Sequence, residues 1–389
     1  MAPGLYTNAR YALPFTTQKN NICQDQPERT KRRCFVKFFV TISLFVFLML
    51  PLSSASADEH DDTQKAVLIT GATTGIGRFA AEYLAAQGYF VYAGARKDAD
   101  MDALNRIDNI MAVRLDVTKQ DQIDAAARVI EEQGRGLWGL VNNAGVNVVA
   151  PLVEIDEADF DFVFNVNVYG VMRVTKAFAP MIIESKGRIV NISSISGVLS
   201  GGGYGVYAGT KHALEAMTDA LANELHEFGV HVSAVNPGNF ASEIGLTRCK
   251  RLVADTDAED WGLFEQRRQE MIADCKQRLE AGVEDEGTPP DAVASTIARA
   301  LFEDNPRNRY MVVPRQVEAG WTISKAVEEM LDLNLGHEYS YSRDEIMELV
   351  DALWPYAKGE KSRGNPEDAA ALREFLQAWM NKQAAVEGP

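Results

Sequence analysis

The sequence predicts an α/β fold built on a doubly wound parallel sheet, and three observations predict it. Lys65-Ala66-Val67-Leu68-Ile69-Thr70 is a short, apolar, β-branched run ending at glycine, the pattern of a strand buried on both faces. A glycine-rich turn follows, Thr70-Gly71-Ala72-Thr73-Thr74-Gly75-Ile76-Gly77. Then Phe79, Ala80, Tyr83, Leu84 and Gln87 recur at helical spacing before Gly88, and Tyr89 to Ala95 reads as the next strand. Strand, glycine turn, helix and strand make a βαβ unit.

The turn carries the groups that bind a pyrophosphate. Gly71 permits the tight bend, Gly75 lets the backbone approach the phosphates, and Gly77 allows close helix–strand packing. Thr73, Thr74 and Ile76 complete the cradle. The helix N-terminus adds free N–H groups and partial positive charge. A glycine pattern alone is weak; its place between strand and helix makes it a dinucleotide-binding turn. In such units an acid about 20 residues past the glycines holds the adenosine 2′-hydroxyl. Here Ala95 stands at that strand end and Arg96 follows. No carboxylate repels a 2′-phosphate there, and a guanidinium can bind one bidentately, so the sequence favours NADP over NAD.

Tyr207 and Lys211 lie four apart, on a segment with Leu214, Met217, Leu221 and Leu225 on one stripe and Gly229 as its stop. On a helix from Val206 to Phe228 the two side chains share a face. Free tyrosine has a pKa of about 10 and is a poor base near neutrality. A nearby ammonium is expected to lower that value by roughly 1–3 units, and an oxidised nicotinamide acts in the same direction. Ser194 lies 13 residues upstream of Tyr207. With the glycine turn, these residues describe a nicotinamide-dependent oxidoreductase whose acid is a tyrosine. Tyr204 is a decoy, because Ala208 stands four residues on; with Gly201-Gly202-Gly203 it is expected to wall the substrate cleft.

With so many motifs in register, the chain resembles the short-chain dehydrogenase/reductase family, in its compact Thr-Gly-x-x-x-Gly-x-Gly subtype, over roughly Gln64 to Pro314. The resemblance implies a single Rossmann-type sheet of about seven strands. Leu115-Asp116-Val117-Thr118 is similar to the family's adenine-contacting turn, with Asp116 accepting from the adenine amine. Asn142-Asn143-Ala144-Gly145 is similar to the motif that lines the adenosine ribose and steadies the sheet. Asn167-Val168-Tyr169-Gly170 matches the helix carrying a fourth catalytic residue, and Asn191-Ile192-Ser193-Ser194 matches the serine strand, its second serine catalytic. Asn236-Pro237-Gly238 matches the turn beside the nicotinamide; Ser242 stands where the family pattern has threonine, which keeps the hydroxyl. By this resemblance Ser194 orients the substrate oxygen and Tyr207 exchanges a proton with it. Lys211 lowers the tyrosine pKa and grips the nicotinamide ribose, and Asn167 supports a water linking Lys211 to solvent.

The segments Val206–Leu225 and Tyr92–Asp98 most resemble the steroid and retinol dehydrogenase-like branch, which implies a small carbonyl or alcohol substrate of lipophilic character. A 3-oxoacyl-type reductase is the nearest rival, disfavoured by the export signal and long tail described next. A non-catalytic NADP-binding scaffold is the other, and it has no need of Ser194. The resemblance also implies a homo-oligomer, through the helices after Asn167 and through Lys211.

Residues 1–57 read as an export signal or membrane anchor, not as fold. Lys31-Arg32-Arg33-Cys34-Phe35-Val36-Lys37 is basic, and the apolar run Phe38 to Leu50 is shorter than the roughly 20 residues a membrane span needs. Ala55-Ser56-Ala57 offers small residues for cleavage before Asp58. Arg32-Arg33, Phe35 and Lys37 resemble a twin-arginine signal, with Val36 in place of the usual leucine. That route exports folded proteins, so a cofactor acquired in the cytoplasm can travel inside to the periplasm. An uncleaved anchor and a eukaryotic lumenal enzyme are the alternatives.

The chain of 389 residues carries a net charge of −16, and the part before Asp58 is basic, so the body is more acidic still. Such a body argues against nucleic acid and anionic membrane surfaces as partners. Four cysteines are too few for a disulfide scaffold; Cys249 and Cys275, outside the leader, could pair in an oxidising compartment. His60, His212, His226, His231 and His337 have no metal-ligand spacing, so no metal is expected, and His212 reads as a helix surface residue.

The polar stretch from Gly238 to Glu286 corresponds to the region that covers the substrate in the family it resembles, which implies a helical lid over a roomy, partly apolar cleft; surface helices unrelated to substrate are the alternative. Pro289-Pro290-Asp291 opens a helix through Leu301, and Arg309–Val313 is the last strand. Residues 58–314 thus form the NADP-binding domain and 315–389 a helical C-terminal extension. In the extension, Ser342-Arg343-Asp344-Glu345 reads as a capping box before Ile346, Leu349, Val350 and Leu353. Asn365-Pro366 caps another helix with Leu372, Phe375, Leu376 and Trp379 on one face.

Overall fold

The computed structural model describes residues 64–254, 262–281, 287–361 and 365–384. The basic and apolar leader, and with it the export reading, and residues 255–261 lie outside the described residues. From the N-terminal side, β1 (Ala66–Ile69) is followed by α1 (Gly75–Ala86), β2 (Phe90–Ala95), α2 (Asp98–Leu104), β3 (Ile110–Arg114), α3 (Gln120–Glu132) and β4 (Gly139–Asn142). Then come α4 (Glu157–Phe164), a stretch of π-helix (Asn165–Gly170), α5 (Val171–Glu184), β5 (Arg188–Ile192), α6 (Gly205–Leu225) and β6 (His231–Pro237). The two helices α7 (Glu243–Ala254) and α8 (Glu265–Glu280) precede α9 (Asp291–Phe302) and β7 (Arg309–Val312). The extension holds α10 (Gln316–Asn334), α11 (Arg343–Lys358) and α12 (Pro366–Ala384).

The described strands form one parallel sheet in the order β3-β2-β1-β4-β5-β6-β7. Alternation along each strand feeds two cores. Val67, Ile69, Val91, Ala93, Val141 and Val235 pack with Ala80, Leu84, Val293 and Ile297 of α1 and α9. Leu68, Tyr92, Leu140, Ile189 and Val232 pack with Ile123, Ile130, Phe178 and Ile182 of α3 and α5 on the opposite face. Burial on both faces explains why β1 reads as a continuous apolar run. The strand order reverses between β1 and β4. The crevice outside their carboxyl ends is where such sheets bind ligands.

The expected elements appear, with ends that differ by one to three residues. The long helix yields to a 3-10 turn at His226–Phe228 and stops at Gly229, in the left-handed region at φ 76°. In the extension, Ser342 and Glu345 form the capping box, and Asn365 accepts from the amides of Glu367 and Asp368. The helices α11 and α12 bury their faces on each other: Tyr341 stacks on Trp379, whose Nε1–H donates to the Glu345 carbonyl at 2.9 Å. Helix α10, which no sequence signal singled out, begins directly after β7 and carries exposed Trp321, Ile323, Val327 and Met330.

Candidate active site

The glycine turn lies at the carboxyl end of β1, against the carboxyl end of β4. Gly71 and Gly75 have φ of 63° and 52°, which side chains disfavour. A Cβ on Gly77 would overlap the Gly71 carbonyl oxygen and the Asn143 side-chain nitrogen. Asn143 stitches the two strand ends together: its Nδ2 donates to the carbonyls of Thr70 (2.9 Å) and Gly71 (3.0 Å). The amides of Asn143 and Ala144 in turn donate to Thr70 Oγ1. Thr74 precedes α1 without a side-chain cap, and the first turn, with Ile76, has no acidic residue. The helix therefore presents its amides and positive end to an anion. Thr73 and Thr74 keep exposed surface at this cradle. A phosphate-bearing nucleotide fits it: the backbone is bare where a Cβ would intrude, and the helix end has the right sign.

Around this cradle the other expected groups fall in order. Ala95 is buried at the end of β2 and Arg96 is exposed just beyond it. A second guanidinium, Arg114, donates to the Arg96 carbonyl and pairs with Asp98; sequence reasoning missed it because it comes from β3. Asp116 accepts from the amide and hydroxyl of Thr118 at 2.9 and 2.7 Å, forming a tight turn, and Val117 packs against Gly170. Asn142 does the sheet-steadying work, donating to Thr175 and Asn191 at 3.0 and 2.9 Å. Gly145 lies beside Asn167 and Lys211.

Four side chains converge near the carboxyl ends of β4 and β5. Asn167 is buried in the π-helical stretch; it accepts from the Val146 amide and donates to the Val146 carbonyl and to Thr210. Thr210 donates to the Tyr207 carbonyl, so Asn167 is tied to the first turns of α6. Ser194 follows β5; its side chain accepts from the Ser196 amide at 3.0 Å and acts on the Tyr207 phenol to lower its pKa. Lys211 Nζ donates to the Ile192 carbonyl at 2.8 Å and lies 5.6 Å from the Tyr207 ring centroid. The tetrad read from the sequence is thus brought together. His212 faces solvent, as expected.

The electrostatics differ from expectation. In the chain alone burial pushes the Tyr207 phenol up to about 12, opposed by its hydrogen bond with Ser194. Burial also brings Lys211 down to about 8, opposed by Glu215. The expected lowering of the tyrosine pKa by the ammonium is therefore corrected: desolvation of the phenol wins, while the lysine is engaged by a carbonyl.

Sequence reasoning missed Glu215. Its carboxylate accepts from Asn236 Nδ2 (2.5 Å) and from Arg309 Nε (2.8 Å); Asn236 Nδ2 also donates to the Ser194 carbonyl (3.1 Å). Arg309 also pairs with Asp219. The signal was present: Tyr207, Lys211, Glu215 and Asp219 recur every four residues on α6. Pro237 ends β6, and the Gly238 amide just beyond it donates to the Val312 carbonyl. Ser242 reaches back to the cradle, within van der Waals distance of a Cβ placed on Gly75.

Beside α6 opens a cavity of ≈ 390 Å³ lined by Pro151, Leu152, Val153, Gly201–Gly203, Phe264 and Met271, with Arg267 at its wall. The helices α7 and α8 cover this side. Tyr204, expected to wall the cleft with Gly201–Gly203, lies outside this lining, and its hydroxyl accepts from Arg248 of α7 at 2.7 Å. Cys249 and Cys275 are bonded to each other and buried, with Cα atoms 5.0 Å apart, so the two helices are joined covalently. In the chain-entropy model a cross-link closing such a loop contributes about 3–4 kcal/mol.

A family model described as short chain dehydrogenase matches residues 65–250. D-beta-hydroxybutyrate dehydrogenase, mitochondrial, of Bos taurus is 36% identical over 263 residues, spanning 63% of this chain and 76% of that protein. Retinol dehydrogenase 16 of Homo sapiens is 34% identical over 295 residues, spanning 74% and 88%. Among solved structures, a short chain dehydrogenase/reductase from Burkholderia phymatum in complex with NAD is 25% identical with a TM-score of 0.56, over 71% of this chain and 98% of that one.

Proposed function

We propose, from the premise that this chain belongs to the short-chain dehydrogenase/reductase family in its steroid and retinol dehydrogenase-like branch and is an NAD(P)-dependent oxidoreductase, that it interconverts a small lipophilic carbonyl compound and its alcohol using NADP(H). The observation that carries the reading is the convergence of Ser194, Tyr207, Lys211 and Asn167 at one end of a phosphate-binding crevice. The nicotinamide supplies or accepts the hydride when bound. Gly71, Thr73, Thr74, Gly75, Ile76 and Gly77 would hold its pyrophosphate, Asp116 and Val117 its adenine, and Asn143, Ala144 and Gly145 its adenosine ribose. Lys211, Pro237 and Gly238 would bound the nicotinamide half.

Within the site, Ser194 holds the substrate oxygen and Tyr207 gives it a proton in reduction or takes one in oxidation. Lys211 passes a proton toward the phenol, and a water held by Asn167 would link Lys211 to solvent. The apolar cavity wall receives the body of the substrate. The relatives named for hydroxybutyrate and retinol support an alcohol/carbonyl pair. The test is a panel of ketones, aldehydes and alcohols, followed by nicotinamide absorbance. Absence of turnover despite tight cofactor binding would leave a scaffold instead.

Arg96 at the end of β2 supports NADP over NAD. Arg96→Asp is expected to weaken NADPH and favour NADH, a reversal of preference worth roughly tenfold or more for a lost charge-assisted pair. Unchanged relative affinities by fluorescence titration would remove Arg96 from the adenosine pocket.

Residues 58–314 are proposed as the catalytic domain and 315–389 as its extension, with export through the leader. The bonded Cys249 and Cys275 support an oxidising compartment. Fractionation with N-terminal sequencing tests this; a mature chain beginning at Met1 excludes cleavage.

A further inference from the structure

We propose that the C-terminal extension is part of the cofactor site, through Glu318 of α10 acting as a positioning residue for the Pro237–Gly238–Asn239 turn. The inference rests on the reading that this turn faces the nicotinamide.

Glu318 is 0% exposed, and its two oxygens have separate partners. Oε2 accepts from the Asn239 amide at 2.9 Å, and Oε1 pairs with Arg315 at 2.7 Å. Thr322 closes the helical turn above it by donating to the Glu318 carbonyl. A Cβ on residue 238 would overlap Oε2, so the carboxylate lies directly on the Gly238 backbone. Burying a carboxylate is costly, and the group is held here by one loop amide and one guanidinium. The carboxylate thus lies against the turn.

The turn is held on two further sides by groups already placed in the site. On its N-terminal side, Asn236 binds the Ser194 carbonyl and Glu215. On its C-terminal side, Ser242 packs against the position that would carry a Cβ on Gly75, in the phosphate cradle. The segment 236–242 therefore runs from the serine, past the Glu318 anchor, to the pyrophosphate turn. Releasing the middle anchor frees the wall of the crevice between the two ends of the dinucleotide.

The experiment uses the full chain and NADPH and NADH as probes. Glu318→Ala is expected to raise the cofactor dissociation constant and the KM for cofactor about tenfold, the loss of a hydrogen bond to a charged group. The KM for the carbonyl compound and kcat at saturating cofactor should stay within about threefold. Glu318→Gln keeps an acceptor for the Asn239 amide and should restore cofactor affinity to within about threefold. Arg315→Ala, at an exposed side chain, should fold even where Glu318→Ala does not, and should raise the cofactor dissociation constant alone. Wild-type cofactor affinity in Glu318→Ala and Arg315→Ala overturns the inference. So does a uniform loss across kcat and both KM values without rescue by glutamine, which marks a merely structural role. A wild-type chain that binds neither dinucleotide overturns the proposed function as well; a wild-type chain that binds them with unaffected variants overturns this inference only.

Discussion

Tyr207→Phe is expected to lower kcat by roughly 10²–10⁴-fold while leaving the dissociation constant for NADPH nearly unchanged. The phenol hydroxyl is the one group removed. The ring stays between Ser194 and Lys211, and the cradle at Gly71–Gly77 packs on Asn143, Ala144 and Ser242 instead. The pH profile gives a second reading of the same chemistry. Reduction needs a protonated phenol and an ammonium to refill it. Lys211 is brought down to about 8 by burial, so kcat/KM for reduction should fall as pH rises through that value. Oxidation needs the phenol to lose its proton, so its rate should rise in the same direction. Lys211→Arg keeps a cation throughout this range and should move the falling limb to higher pH, at a reduced rate. Substantial turnover by the phenylalanine variant would remove Tyr207 from the acid role. A flat reduction profile across about pH 7 to 10 would remove Lys211 from the proton path.

Gly77→Ala is the second large effect. The new methyl would meet a backbone carbonyl, Gly71 O, and the Asn143 amide that ties the turn to β4. Neither can yield without opening the cradle. Overpacking of this kind costs about 1–3 kcal/mol, and the displaced turn should weaken cofactor binding at least about tenfold. Gly320 provides the contrast: it lies within α10 with no atom within 4 Å of its would-be Cβ. Gly320→Ala should be neutral or stabilising by up to about 1 kcal/mol. Denaturant titration and nicotinamide fluorescence measure both. A Gly77→Ala chain that is stable and binds NADPH like the wild type would refute the packing argument.

What could be read from the sequence was chemistry whose partners are near neighbours in the chain. The strand-turn-helix at Ile69–Gly77 depends on local glycine geometry, and Tyr207 with Lys211 on helical repeat. The capping box at Ser342 is closed by Glu345, three residues on. What escaped depends on separations no local pattern encodes. Glu215 finds Arg309 from β7, 94 residues away, and Glu318 finds Asn239 across 79. The bond between Cys249 and Cys275 depends on two helices lying side by side, which the spacing alone leaves open. The tyrosine pKa was misjudged for a related reason. Charge pairing is visible in a sequence as an i, i+4 spacing, whereas desolvation is a property of everything packed around the group. Helix α10 carries apolar residues around much of its circumference, so its pattern lacks the one-sided stripe that marks a surface helix.

The π-helical stretch at Asn165–Gly170 holds one residue more than a regular helix requires. Deleting that residue would let α4 and α5 run on as a single uninterrupted rod, without the widened turn that Asn167 occupies. Asn167 would swing off Val146 and Thr210, and the shortened chain would fold into the better helix and the poorer enzyme.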